Sequence, residues 1–310
     1  MSALIETKGL SKHFAEIKAV DDISFSVSKG DVLGFLGPNG AGKSTTMKML
    51  TCFLEPSGGQ AFIAGKNVQE QPREVRKLFG YLPESAPLYG EMSVNDFLKF
   101  IAEIRQVDSI KDSIERVVEL TNLHGVTTQR VETLSKGYKR RVGLAQALIH
   151  DPEILILDEP TDGLDPNQKH DVRELIRSMS KDKCILLSTH ILEEVEEVCN
   201  RVIVIAKGKL VADGVPDELR RRSSLHGTVK IVVKKTETSV YEKLNAVDGI
   251  SKIVKEEREG LESFTVFPKN NAESIVYSLL EEAKRENWSL EDFQIERGRL
   301  DDVFREITKE

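Results

Sequence analysis

Apolar residues in this chain come in short runs, and the switch between a period of two and a helical period marks its elements. Ala3 to Glu6 and Val20 to Val27 are short alternating or apolar runs between turn residues, which predicts an antiparallel strand group. Val32 to Leu36 is a compact apolar run, and Ser44 to Leu50 beyond it reads as a helix. Gln60 to Ala64 predicts another strand, and Val75 to Tyr81 leads into a loop broken by Pro83 and Pro87. Phe97, Phe100, Ile101 and Ile104 recur at helical spacing behind the capping pair Ser93 and Asp96. Asp112 with Glu115 predicts a second helix start before Val117, Val118 and Leu123. A third helix carries Val142, Ala145, Leu148 and Ile149 on one face.

Ile154 to Leu157 and Cys184 to Leu187 are continuous apolar runs, the signature of parallel strands buried on both faces. A helix from Gln168 to Met179 separates them. Ile191 to Cys199 sets an apolar stripe against Glu193, Glu194, Glu196 and Glu197, read as a solvated acidic face. Arg201 to Ala206 and Lys209 to Val211 predict a hairpin around Lys207-Gly208. Composition shifts after about Gly214, where Pro216, Arg220 to Ser224 and Gly227 read as an exit helix and linker. Strand 228–234, helix 237–247, strands 250–256 and 261–267, helix 271–287 and strand 292–297 then follow. That order, βαββαβ, is the ferredoxin-like arrangement, with Leu300 to Thr308 as a short closing helix. The fold class is therefore α/β, followed by a smaller α+β domain.

The densest chemistry lies in Gly37-Pro38-Asn39-Gly40-Ala41-Gly42-Lys43-Ser44-Thr45, between a predicted strand and a predicted helix. In that setting the spacing is a phosphate loop: glycines let successive N–H groups turn inward, and the helix start faces the same anion. Lys43 would reach the β and γ phosphates of a nucleotide, and the Ser44 hydroxyl would ligate Mg²⁺. Asp158 and Glu159 end the Ile154 run, where doubly wound sheets bind ligands, so Asp158 can hold the metal shell and Glu159 can accept a proton from water. His190 ends the Cys184 run at the same edge and reads either as a structural residue or as a group facing a γ-phosphate. Phe14 reads either as core or as a surface on which adenine stacks. Leu134-Ser135-Lys136-Gly137-Tyr138 precedes a helix and is either a second anion site or an ordinary N-cap. Leu88 and Tyr89, in the loop after Tyr81, read either as a partner contact or as residues that pack down.

Bulk properties narrow the partners. The chain has 310 residues, enough for one large domain and a small one, and a net charge of −7 with 31% charged residues. No broad basic face for nucleic acid is expected; Lys136 to Arg141 and Arg220 to Arg222 remain contact sites or solvated faces. No apolar run approaches the roughly 18–20 residues that span a bilayer. The start, Met1 to Glu6, has no basic stretch leading into an apolar core, so a secretory signal is not expected. Cys52, Cys184 and Cys199 form no pair or cluster motif and read as free thiols in a reducing compartment. The expectation is a cytoplasmic protein whose membrane association comes through a partner.

In this order the motifs resemble the nucleotide-binding subunit of an ATP-binding-cassette (ABC) transporter, over about residues 3–220. Gly37 to Thr45 is similar to the Walker A loop, Ile154 to Glu159 to Walker B with its catalytic glutamate, and Asp162 to Pro166 to the D-loop. His190 sits in the place of the switch histidine and Phe14 in that of the adenine-stacking aromatic. Leu134 to Tyr138 sits where the family has LSGGQ, keeping Ser135 and Gly137 but placing Lys136 and Tyr138 at the Gly and Gln positions. Glu84 occupies the Q-loop glutamine position, where a carboxylate can still approach Mg²⁺. The resemblance implies an ABC-type P-loop core of residues 1–220 with an antiparallel β subdomain and a helical subdomain at about 84–145, and an accessory domain at 225–310. It also implies ATP and Mg²⁺ as ligands and a head-to-tail dimer in which Ser135 and Gly137 of one copy face the γ-phosphate held by the other. Integral-membrane subunits at the inner face of the cell membrane would receive the motion through the helical insert and the 81–92 loop. Both variants and the extra domain look similar to bacterial export-type members, including those associated with gliding motility.

Two other functions are weighed against this one. Soluble cassette ATPases acting on nucleic acid or ribosomes usually carry two cassettes, a long coiled-coil insert or zinc modules, whereas this chain has one cassette and neither addition. A pure nucleotide sensor is disfavoured by the intact Asp158-Glu159 pair.

Overall fold

The first predicted strand group is longer than its apolar runs. In a computed structural model, which describes residues 3–234, 239–258, 260–270 and 273–308, β1 (Ala3–Phe14) and β2 (Ile17–Ser28) form an extended antiparallel hairpin. Register shifts between Thr7 and Leu10 and again up to His13 break the period-two pattern, which is why the sequence reads as shorter pieces. Then come β3 (Val32–Leu36), α1 (Lys43–Leu50), β4 (Gly58–Ile63), β5 (Lys66–Asn67), α2 (Pro72–Val75) and β6 (Phe79–Leu82). Helices α3 (Val94–Arg105), α4 (Ile110–Leu120) and α5 (Lys136–Leu148) precede β7 (Ile154–Asp158), α6 (Pro166–Met179), β8 (Cys184–Thr189), α7 (Leu192–Val198), β9 (Arg201–Ala206) and β10 (Lys209–Gly214).

These strands make two sheets. One is antiparallel, in the order β2-β1-β4-β5. The other runs β10-β9-β3-β8-β7-β6, parallel except for β10 at its edge. Every residue of β3, β6, β7 and β8 is buried, as their continuous apolar composition requires. The two sheets share a core in which Phe25 packs on Phe35 at 5.5 Å and Met47, Met49 and Leu50 of α1 are sealed from solvent.

Local chemistry sets the helix starts. Ser93 caps α3: its Oγ accepts from the Asp96 N–H at 3.1 Å and donates to Asp96 Oδ2 at 2.6 Å. Helix α4 starts before the predicted Asp112–Glu115 pair, because Ser109 is its cap and Asp112 the third helical residue, bonded to Ser109 Oγ. Among the described residues no helix is long and apolar enough to cross a membrane.

The chain divides into two units, Met1–Pro216 and Asp217–Glu310. After α8 (Pro216–Arg220), the second contains β11 (Val229–Lys234), α9 (Val240–Asn245), β12 (Ile250–Arg258), β13 (Leu261–Pro268), α10 (Glu273–Arg285), β14 (Leu290–Ile295) and α11 (Leu300–Thr308). Its antiparallel sheet runs β12-β13-β11-β14, the strand order of the predicted βαββαβ fold. Residues 237–238 and 271–272 of the two predicted helices lie outside the described residues. The unit has its own core, with Val229, Ile231, Phe264, Val266, Leu279 and Trp288 buried.

Candidate active site

Sheet register brings the chemistry together. Leu36 of β3 pairs with Thr189 of β8, Asp158 of β7 pairs with Ser188, and Leu82 of β6 pairs with Leu157. The loop after Leu36, the Asp158-Glu159 pair, His190 and Glu84 therefore leave the sheet at one carboxyl edge. They surround a cleft of about 470 Å³ whose walls include Gly40, Lys43, Ser44, Glu84, Glu159 and His190.

The phosphate loop is shaped by backbone demands. Gly40 and Gly42 adopt φ of 80° and 111°, the left-handed region. A side chain at Gly42 would also come within 2.5 Å of the Ala19 carbonyl. Helix α1 opens at Lys43, which is only 5% exposed. Its ammonium donates to the carbonyls of Gly37 at 2.7 Å and Pro38 at 3.3 Å and lies 3.6 Å from Glu159 Oε1. Ser44 Oγ donates to Asp158 Oδ1 at 3.3 Å, and Ser188 Oγ donates to the same buried oxygen.

Ser44 and Asp158 thus present a hydroxyl and a carboxylate to one point, the donor type a hard divalent cation takes. Among the described residues no group of three or more His, Cys, Asp or Glu could hold a metal unaided. A Mg²⁺ there would draw its remaining ligands from phosphate and water, as Mg²⁺ commonly does.

Glu159 is held in an unusual conformation. Its φ of 51° places a non-glycine residue in the left-handed region, at a cost of roughly 1–2 kcal/mol. Surrounding bonds fix it there. Its N–H donates to Ser188 Oγ at 3.1 Å and Ser188 O at 3.2 Å, and His190 Nδ1 lies 2.7 Å from its Oε2. The buried Arg140 guanidinium donates to the carbonyls of Pro160 at 3.1 Å, Pro83 and Glu84 at 2.8 Å, Asp158 at 2.5 Å, and Glu159. Burial disfavours the charged form of Arg140, while the carboxylates of Asp158, Asp162, Glu159 and Glu84 favour it. One side chain thereby ties the Glu84 loop to the residues that follow β7.

The ABC transporter family profile matches residues 20–162. The bacitracin transport ATP-binding protein BcrA of Bacillus licheniformis is 39% identical over 72% of this chain and 73% of its own length. The chain belongs to the ABC transporter ATP-binding protein family. YbhF of Escherichia coli K12, a probable multidrug ABC transporter ATP-binding protein, is 37% identical over 71% of this chain, which spans only 39% of YbhF. A solved ATP-binding subunit of an ABC transporter superposes with a TM-score of 0.65 and 32% identity, covering 71% of this chain and 92% of that one.

Within this ABC cassette the expected residues divide into two sets. Lys43, Ser44, Asp158, Glu159 and His190 converge, with Asn39, Gly40, Gly42, Thr45 and Glu84 around them. Gly37 and Ala41 are buried behind the loop, and Pro38 is exposed. Phe14, Ser135 and Gly137 do not line the cleft of their own chain. Phe14 is 45% exposed beneath the Lys12 ammonium, so it is not a core residue. Ser135 caps α5, accepting from the Tyr138 N–H at 3.4 Å. Tyr89 packs partly down, edge-on to Phe100 at 5.5 Å, while staying 56% exposed.

Two site-shaping residues escaped the sequence reading. Arg140 lay in a basic cluster read as surface, although helical spacing puts it on one face with Gly137 and Leu144, both buried. Glu194, assigned to a solvated acidic face, is 3% exposed. Its carboxylate accepts from Thr189 Oγ1 at 2.7 Å and from Thr161 Oγ1, bridging the segments that carry His190 and Glu159. The available signal was its spacing of four from Val198 on the core stripe.

Proposed function

We propose that this chain is the ATP-hydrolysing subunit of an ABC exporter. The observation that carries the reading is the contact set Lys43–Glu159–His190 beside Ser44–Asp158 at one sheet edge. Lys43 would leave the Gly37 and Pro38 carbonyls for the β and γ phosphates of ATP. Mg²⁺ at Ser44 and Asp158, within reach of Glu84, would neutralise charge on the phosphates. Glu159 would take a proton from the attacking water, and His190 would orient Glu159 and face the γ-phosphate. Ser135 and Gly137, which do not line the cleft of their own chain, fit a head-to-tail dimer in which each copy closes the other's site.

The mechanical partner is a pair of integral-membrane subunits, which would hold this chain at the inner face of the cell membrane. Between α3 and the edge strand β6 lies a groove of about 480 Å³ that exposes Phe53 and Ile104 beside Arg76 and Arg105, and we assign a cytoplasmic helix of the membrane subunit to it. Relatives named for bacitracin transport, multidrug transport and Nod factor export favour export. We assign residues 225–310 an accessory role in bracing the dimer; truncation before 225 that leaves dimerisation and ATPase rate intact would end that assignment.

The test of the main proposal is Glu159→Gln. It keeps the shape of Glu159 and removes its basicity, so ATP–Mg²⁺ is expected to trap a dimer while turnover falls by at least about 100-fold. Light scattering that finds only monomer at saturating ATP, or turnover within tenfold of the parent, would overturn it.

A further inference from the structure

Lys136 stands where the family's signature has glycine, and its side chain is not simply solvated. It crosses the face of Gly163, and its Nζ lies 3.2 Å from Asp162 Oδ2. Gly163 has φ of 69°, and a Cβ there would overlap the end of the Lys136 side chain where it now lies. Asp162 in turn borders the nucleotide cleft with Lys43, Glu159 and His190. A second cavity of about 370 Å³ runs on from it, lined by Glu84, Lys136, Arg140 and Asp162. The cation of the signature segment is thus parked on a carboxylate at the rim of its own chain's cleft.

We propose that Lys136 is a phosphate-directed cation held in reserve by Asp162, and that it passes to the γ-phosphate bound by a second copy of this chain when the dimer closes. This rests on the head-to-tail dimer proposed above. Three physical arguments favour the exchange. Lys136 and Asp162 are 69% and 49% exposed, and so open an ion pair is worth roughly two- to fivefold in an equilibrium. A triphosphate terminus offers more negative charge and several strong acceptors, which a flexible lysine can meet as a point charge. Closure also removes water from the seam, which strengthens a contact between lysine and phosphate. Asp162 then stands unpaired beside the phosphates of its own cleft, so the carboxylate opposes closure.

The signs of two substitutions separate this from a simple structural tether. In the Glu159→Gln protein, the ATP concentration that half-saturates dimerisation is measured by light scattering at several salt concentrations. Lys136→Gln, which keeps a straight chain in the first turn of α5, is expected to raise it about tenfold and to flatten its salt dependence. Lys136→Arg restores it to within about threefold. Asp162→Asn lowers it two- to fivefold. With Asp162→Asn already present, Lys136→Gln costs more, about 20- to 50-fold, because no ion pair then offsets the lost phosphate contact. A Lys136→Gln protein that dimerises like the reference, or loses its effect once Asp162 is Asn, overturns the proposal while leaving the dimer standing. A Glu159→Gln reference that never dimerises refutes the dimer reading and this one with it.

Discussion

Arg140→Met tests whether the cleft is held by one guanidinium. The substitution keeps an unbranched side chain of similar reach in α5 and deletes the donors to five backbone carbonyls. Glu84 is exposed and Pro83 half-buried, so water can replace the donor at those two carbonyls. The carbonyls of Asp158 and Pro160 belong to buried residues and lose this donor outright, while that of Glu159 keeps the Asp162 N–H at 3.1 Å. An unsatisfied buried group costs about 1–3 kcal/mol, and relief of the arginine's own burial offsets part of the sum. The net loss is then about 3 kcal/mol, or roughly 6–12 °C in Tm for a unit of this size. Catalysis should suffer more than binding. Glu159 keeps its left-handed backbone only while its neighbours hold it, and misplacing a reacting group by about 1 Å costs on the order of 100-fold in rate. The phosphate loop draws nothing from Arg140, so KM for ATP should move less than about threefold while kcat falls about 100-fold. Arg140→Lys should lie between the parent and Arg140→Met, since one ammonium cannot serve five acceptors. Steady-state ATPase kinetics and calorimetry on the three proteins decide the matter. Arg140→Met melting within about 2 °C of the parent with kcat within threefold would refute the reasoning.

Two further outcomes are expected. Burial and the neighbouring Arg105 push His150 down to about 4, although its ring donates to the Phe79 carbonyl at 3.1 Å. The unfolded chain therefore binds a proton below about pH 6.5 that the folded chain refuses, so stability present above that pH is lost as pH falls toward 4. The loss is about 2 kcal/mol between pH 7 and 5, and His150→Gln should remove it from urea titrations at the two pH values; an unchanged difference would sink the assignment. Ile104 is 59% exposed on the groove beside β6, so Ile104→Glu should leave basal ATPase within about twofold yet prevent co-purification with a multi-span membrane protein; retained co-purification would move the docking site elsewhere.

The legible parts of the fold were those whose physics is local in sequence. Strands β3, β7 and β8 are sealed on both faces, so their runs are continuous and their ends place Lys43, Asp158 and His190 without ambiguity. The phosphate loop was equally plain, because glycine is demanded at Gly42 both by its φ and by the Ala19 carbonyl. The true length of β1 was hidden by its register shifts, and the start of α4 by a single serine placed before the acidic pair. Arg140 and Glu194 were misread for a common reason. Each is a charged residue satisfied by distant partners: Arg140 by carbonyls after β6 and β7, Glu194 by hydroxyls after β7 and at the end of β8. Local composition says that charges face water, and only the tertiary fold supplies acceptors or donors inside.

That arrangement has a consequence for the order of events in the cleft. Glu159 touches two partners at once, the Lys43 ammonium at 3.6 Å and the His190 imidazole at 2.7 Å. The ammonium faces one carboxylate oxygen and the imidazole the other. On the proposed function Lys43 also serves phosphate, so nucleotide binding and the release of Glu159 would be the same motion of one side chain. On that reading Glu159 is restrained, before ATP enters, by the group that ATP would claim. On this reasoning Lys43→Met would free Glu159 but leave no phosphate to act upon. The restraint and the recognition cannot be separated by mutation at 43, only by mutation at 159 or 190.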